Sequence, residues 1–191
     1  MATERHLGEK IRQLREQQQI SIEALAAQSQ LSEDFIAHVE SGQSLPSLAP
    51  LMKLSRALGV RLGTFLDEEA YSGPVVVRNG AADEVVRFSG SESSGRDTLD
   101  FYSLASHKKD RHMEPFLIKV QPGKQHTQHL SSHEGEEFIY ILDGAIDVSY
   151  GKDTYTLNAG DSIYYDSIVP HEVRAHGETA AKLLAVVFAP F

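Results

Sequence analysis

Apolar residues recur at helical spacing as far as Leu66, and from Val75 onward they alternate or cluster as strands do. In the first stretch Leu7, Ile11 and Leu14 make one stripe, and the polar run Gln17, Gln18, Gln19 leads to Ser21, a side chain suited to capping a helix start. The second helix then holds Leu25, Ala26 and Ala27. Ser32 caps a third, in which Phe35, Ile36 and Val39 face inward until Ser41 and Gly42 stop it. Pro50 opens a fourth helix with Leu51, Leu54 and Leu58 on its apolar face, Gly59 ends it, and Leu62, Phe65 and Leu66 form a last short turn. Five short helices thus fill residues 1–68. Charges and breakers from Asp67 to Pro74 mark a linker, taken as residues 69–79.

Residues 80–191 read as an all-β unit. The runs DFYSLAS, PFLIKVQ, EFIYILD, AIDVSYG, TYTLN, SIYYDS, HEVRAH and KLLAVVF follow one another at short spacing. Turn signals such as Asp143-Gly144 and Asn158-Ala159-Gly160-Asp161 separate them, so antiparallel strands in a sandwich or jelly roll are expected. The Ser/Gly-rich stretch at residues 89–97 reads as an exposed connection. The fold class is α+β, with an all-α unit followed by an all-β one.

Composition narrows the chemistry. No cysteine occurs in the 191 residues, which excludes disulfides, thiolate zinc sites and a cysteine nucleophile, so any metal must be held by His, Asp or Glu. The opening residues lack the apolar centre of a signal peptide and no apolar run reaches membrane-spanning length, so a cytoplasmic address is expected. The net charge of −9 lies in one half: residues 1–66 carry seven Lys/Arg and seven Asp/Glu, the rest eleven and twenty. A bulk electrostatic hold on nucleic acid is excluded for the β-rich half, but not a specific one by the neutral helical half.

The run from Ile20 to Val60 resembles the helix-turn-helix domain of the xenobiotic-response-element (XRE) or Cro/repressor class. The features that carry it are Ala26 and Ala27, Leu31 and Ser32 at the turn, Ile36, Glu40 and Gly42, and Pro46 before Leu48. The resemblance implies a third helix lying in a DNA major groove with Glu33, Asp34 and His38 toward the bases. Lys, Arg, Asn and Gln, the commonest readers of guanine and adenine, are missing from that helix, whereas Glu can accept from cytosine. Arg12 and Arg15 are expected on the phosphates, with Arg5, Lys10, Lys53 and Arg56 as further cations.

In the second half the informative cluster is PGKQHTQHLSSHEGEEFIYILDG. His133 and Glu137, four apart, share a strand face if the chain between them stays extended, with Ile139 and Ile141 continuing it. A carboxylate and an imidazole turned into an apolar interior need a partner, and a divalent cation (Fe, Zn, Mn or Ni) satisfies both. His171 on a neighbouring strand supplies a third ligand, giving two His and one Glu with open coordination positions. A hydrogen-bonded polar floor for an organic ligand, without metal, is the other reading.

These residues resemble the cupin superfamily. His133, Glu137 and Gly144 keep the second half of its first motif, and Gly160-Asp161-Ser162 with Pro170-His171 match its second. Ser131 stands where the first His of the pair belongs, His129 is a substitute only through a bulge, and Ala175 replaces the usual Asn. Tyr140 and Tyr165 are taken as hydroxyls for an effector.

The combination resembles the two-domain XRE-cupin transcriptional regulators. It implies a homodimer on operator DNA, away from membranes, with a cupin that senses a small polar or carboxylate molecule and no catalytic residue. Hydroxypropylphosphonate epoxidases share the architecture and a two-His, one-Glu triad, so an iron-dependent oxidase or epoxidase is the alternative, with Lys119, Lys124 and Arg174 as cations for a phosphonate.

Overall fold

The structure is a computed structural model that describes residues 2–66, 73–78, 83–89, 98–108, 111–123 and 130–190; of residues 2–6, 83–89 and 98 it describes the backbone alone. Part of the expected linker, residues 90–97, Lys124, His126 and His129 lie outside the described residues. The chain divides into two compact units, Met1–Asp67 and Glu68–Pro190.

The first unit is five helices: α1 (Ala2–Gln17), α2 (Ile22–Ser29), α3 (Glu33–Glu40), α4 (Leu48–Ala57) and α5 (Leu62–Leu66). Ser21 and Ser32 cap α2 and α3 as their sequence positions require, each hydroxyl accepting from the backbone N–H three residues on, at 3.2 Å. Leu7, Ile11, Leu25, Ile36, Val39 and Leu54 are buried in the core, each worth roughly 1.5–3 kcal/mol when fully removed from water. Leu14 and Phe35 are half-buried, so the inward set is narrower than the spacing suggested. Helix α4 starts at Leu48 rather than Pro50; the proline falls in the first turn, where its missing N–H has no intrahelical acceptor to lose.

Two contacts fix α1 against α3. Gly8 lets the backbones touch, since a Cβ there would lie 2.2 Å from the Val39 carbonyl oxygen. Arg15 holds Glu40 with two parallel bonds, Nε to Oε1 at 2.7 Å and Nη2 to Oε2 at 2.8 Å, and donates Nη1 to the Ile20 carbonyl at 2.9 Å. Between α2 and α3, Gln30 takes a left-handed conformation with φ 56° and its N–H bonds to the Ala26 carbonyl.

The second unit is two antiparallel sheets. One has the order β1 (Asp83–Ser89), β2 (Thr98–Ser103), β3 (Met113–Gln121), β9 (Ala181–Phe188), β4 (Glu136–Asp143), β7 (Ser162–Asp166); the other runs β6 (Asp153–Asn158), β5 (Ala145–Tyr150), β8 (His171–Ala175). Strand β1 was not among the runs read from sequence. Alternation is clean in the centre of the large sheet: Phe116, Ile118 and Val120 of β3 and Leu183, Ala185 and Val187 of β9 are buried, with their neighbours on the opposite face. A bridge between Ser131 and His171 ties the segment before β4 to β8, joining the two sheets at one end of the sandwich.

Candidate functional site

At that end the interior turns polar. The chain before β4 is not extended, as the alternation argument assumed. It bends at Gly135, with φ 110°, where a Cβ would lie 1.9 Å from the Phe188 carbonyl oxygen. Only glycine allows that close approach. His133 N–H donates to the Ser167 carbonyl at 3.0 Å and Ser167 N–H to the Gly135 carbonyl at 2.9 Å, so the bend is locked to the end of β7. The bend sets His133 beside Glu137 on β4, and the Ser131 bridge brings in His171 at the head of β8. All three are buried, and their ligand atoms lie within 4.8 Å of one another.

The hydrogen bonds decide what these groups can do. His133 donates Nδ1–H to the Glu134 carbonyl at 3.1 Å, and His171 donates Nδ1–H to the Val169 carbonyl at 2.9 Å; a carbonyl can only accept, so both protons are committed there. In a neutral ring that leaves a lone pair on Nε2. Both lone pairs face another acceptor, Glu137 Oε1, at 2.8 Å from His133 and 3.4 Å from His171. Three acceptors around one point repel unless protons or a cation lie between them. Two ligands at ~2.1 Å from a metal lie about 3 Å apart at right angles and about 3.4 Å apart at the tetrahedral angle, comparable with the 2.8 and 3.4 Å that separate Glu137 Oε1 from the two imidazoles. The donor set of two imidazoles and a carboxylate therefore fits a divalent ion of the Fe, Zn, Mn or Ni group.

The other carboxylate oxygen is already held. Tyr165 donates its hydroxyl to Glu137 Oε2 at 2.8 Å, while its ring packs against His171 with centroids 5.1 Å apart. Burial alone would push the Glu137 carboxyl up; with protons rather than a cation on the two Nε2 atoms, the hydrogen bonds and charges of His133 and His171 outweigh it and hold the group well below the usual carboxylate range. Burial and then the Glu137 charge push the Tyr165 hydroxyl well above its ordinary value, so it stays a donor. For His171, burial pulls downward and Glu137 pulls upward more strongly, leaving the imidazole raised.

The remaining sequence-based assignments fall in different places. Tyr140, on the face of β4 opposite Glu137, is 38% exposed and is not brought to the triad. Ser131, at the missing ligand position, does approach it, with Oγ 3.3 Å from His171 Nε2. Of the cations considered for a phosphonate, Arg174 sits beside Asp147 at 3.1 Å and Lys119 over the Tyr102 ring at 4.7 Å. Both alternate away from the buried faces of their strands. Sequence reading missed a buried cation instead: Arg111, 2.7 Å from Glu114. Glu114 is paired with Val187, which in turn pairs with Glu137, so the two acids share the inner face two strands apart. The alternation of PFLIKVQ extended back one residue turns Glu114 inward and was the available signal.

In the helical unit, Glu33, Asp34 and His38 share the exposed part of α3, with His38 Nδ1 donating to the Asp34 carbonyl. Arg12 is exposed on α1, 2.8 Å from Glu16. Arg15 is not on that surface, because Glu40 claims its guanidinium inside the bundle.

The family model described as Helix-turn-helix matches residues 11–65, and the one described as Cupin domain matches residues 116–187. The chain belongs to the two-domain XRE-type helix-turn-helix proteins with a cupin domain. The HTH-type transcriptional regulator PuuR of Escherichia coli is 25% identical over 183 residues, 95% of this chain and 92% of that protein. A crystal structure of an HTH_3 family transcriptional regulator from Vibrio cholerae superposes with a TM-score of 0.70 at 22% identity, covering 100% of this chain and 98% of that one, which shows the shared fold. The (S)-2-hydroxypropylphosphonic acid epoxidase of Streptomyces wedmorensis is 30% identical over 102 residues, 49% of this chain and 52% of that enzyme. As an XRE-cupin protein, the chain thus combines a helix-turn-helix unit with a buried metal-type triad. No helix among the described residues is long and apolar enough to cross a membrane.

Proposed function

We propose that the protein is a cytoplasmic, homodimeric DNA-binding transcriptional regulator whose cupin unit senses a small effector at a divalent metal held by His133, Glu137 and His171. The observation that carries the sensing half is the convergence of two Nε2 atoms on Glu137 Oε1 with both Nδ1 protons spent on carbonyls. A metal there would supply a Lewis-acid centre with open positions for an oxygen-bearing ligand. Tyr165 orients the carboxylate, and Ser131 offers a hydroxyl beside His171. The DNA half rests on the helix-turn-helix match and on alignment with PuuR, a transcriptional regulator by name, along nearly the whole chain. Helix α3 would enter the major groove with Glu33 and Asp34 accepting from cytosine amino groups, His38 beside them and Arg12 toward a phosphate. Effector binding shifts DNA affinity by as much as its own affinity differs between the two states, and no more.

The test is gel retardation of the DNA upstream of the protein's own coding sequence, with metal-loaded and metal-stripped protein. Retardation that weakens with salt and changes on metal removal is expected. No retardation at low salt in either form would sink the regulatory reading. A second reading, an iron-dependent oxidase or epoxidase, draws on the same triad and on the match to the epoxidase. Of the three cations considered for it, the two among the described residues, Arg174 and Lys119, lie beside Asp147 and Tyr102. Oxygen consumption by the Fe(II)-loaded protein with a hydroxyalkylphosphonate would favour it.

A further inference from the structure

Arg111 and Glu114 form a charged pair inside the sandwich that the triad does not use. Both side chains are 5% exposed, and Arg111 donates Nε–H to Glu114 Oε2 at 2.7 Å and Nη1–H to the Lys108 carbonyl at 3.1 Å. Burying two opposite charges and joining them about breaks even against apolar side chains of the same size, so stability alone does not account for the pair. Its place says more. Glu114, Val187, Glu137 and Tyr165 lie in one inward row across β3, β9, β4 and β7, and two interstrand steps of ~4.8 Å set the two acids roughly 10 Å apart. Between them β9 contributes Val187 in that row and Ala185 in the next, both short. The pair thus looks toward the triad across small apolar side chains. Formal charge adds a constraint. Asp100, also buried, is paired with exposed Lys119 and belongs to the outer face. Among the described residues turned inward here, a divalent ion on two neutral imidazoles would join Arg111 to give three positive charges against the two negative ones of Glu137 and Glu114. An uncompensated charge is costly in such an interior, so the surplus of one asks for a guest with a single negative charge.

We propose that the effector site has two poles, the ion at the triad and the Arg111–Glu114 pair, and that the effector is a short monocarboxylate with a neutral hydrogen-bonding group, a hydroxyl or a carboxamide, at its far end. The carboxylate supplies the missing charge at the ion. The far group meets a donor, the guanidinium, beside an acceptor, the Glu114 carboxylate, and needs no charge of its own because those two cancel. A far methyl group would leave the desolvated pair facing hydrocarbon. A far carboxylate would bring one negative charge too many. This inference rests on the metal-held effector of the proposed function and adds the second pole and the chemistry of the guest.

Calorimetric titration of the Zn(II)-loaded full chain tests it, with ω-hydroxy acids from 3-hydroxypropanoate to 6-hydroxyhexanoate, each beside its unsubstituted acid and its dicarboxylate. Wild type should bind at least one hydroxy acid of the series about tenfold or more tighter than the matching unsubstituted acid. Arg111→Met combined with Glu114→Leu exchanges the pair for apolar groups of similar size, a change that buried ion pairs commonly tolerate. That protein should keep Zn(II) and reverse the preference toward the unsubstituted acid. Glu114→Gln leaves the Arg111 charge uncancelled and should move the preference about tenfold or more toward the dicarboxylate. A pair that merely braces the fold predicts one ranking of acids in all three proteins. That result, or a wild type that ignores the far group or binds no acid of the series while holding Zn(II), would overturn the inference and leave the metal site standing. Wild type that holds no Zn(II) would remove the proposed sensing site and this inference together.

Discussion

Glu40 and Glu137 are both carboxylates withdrawn from water, their side chains 5% and 9% exposed, yet they have opposite surroundings. Glu40 meets a guanidinium whose two donors match its two oxygens, at 2.7 and 2.8 Å. Its charge is answered within the fold, and the pair acts as a clasp between α1 and α3. Glu137 meets two rings whose Nδ1 protons are spent on backbone carbonyls, so what they turn toward it in their neutral form is more acceptor. Among the described residues, Tyr165 and, at 3.4 Å, Ser167 offer it unambiguous donors. The comparison separates a buried charge that completes a structure from one that asks for a guest.

That difference can be pressed in either unit. The largest effect is expected at the clasp: Glu40→Gln leaves Arg15 without its charge partner and should cost about 3–5 kcal/mol, read as a shift of the denaturant midpoint, while metal content stays at the wild-type level. Gly135→Ala should cost about 3 kcal/mol and also release metal, because the bend that sets His133 would have to move away from the Phe188 carbonyl. Unaltered metal content in a folded Gly135→Ala protein would show that the bend does not position the ligand. Tyr165→Phe removes the donor on Oε2 and should weaken metal affinity about 10- to 100-fold, or about 1.4–2.7 kcal/mol, without changing the fold; titration calorimetry with Zn(II) gives the number. Gln30→Gly, at a left-handed position, should raise stability by about 0.5–1 kcal/mol and leave metal binding alone.

Local chemistry was readable and long-range chemistry was not. Ser21 and Ser32 cap helices because the acceptor and the N–H it serves lie three residues apart, a distance visible in any sequence. Arg15 was assigned to phosphate because its partner lies 25 residues away and nothing nearby announces it. Strand β1 went unseen because its support is a pairing with β2 across a polar stretch rather than a pattern of its own. In the triad, residue types and the motif match named His133, Glu137 and His171 correctly as a cluster, but for an incomplete reason: the turn at Gly135, not an extended strand, makes the first two meet. That Tyr140 lies away from the triad was legible, since alternation that turns Glu137, Ile139 and Ile141 inward turns it out.

The central claim is that the imidazoles and the carboxylate of the sandwich converge to bind a metal ion. Elemental analysis of purified protein, stripped and then equilibrated with Fe(II), Zn(II), Mn(II) or Ni(II), tests it beside Glu137→Gln. The account predicts close to one tightly held ion per wild-type chain and none in the variant. Wild-type protein that stays metal-free with all four ions, or a Glu137→Gln variant that binds as well as wild type, would contradict it.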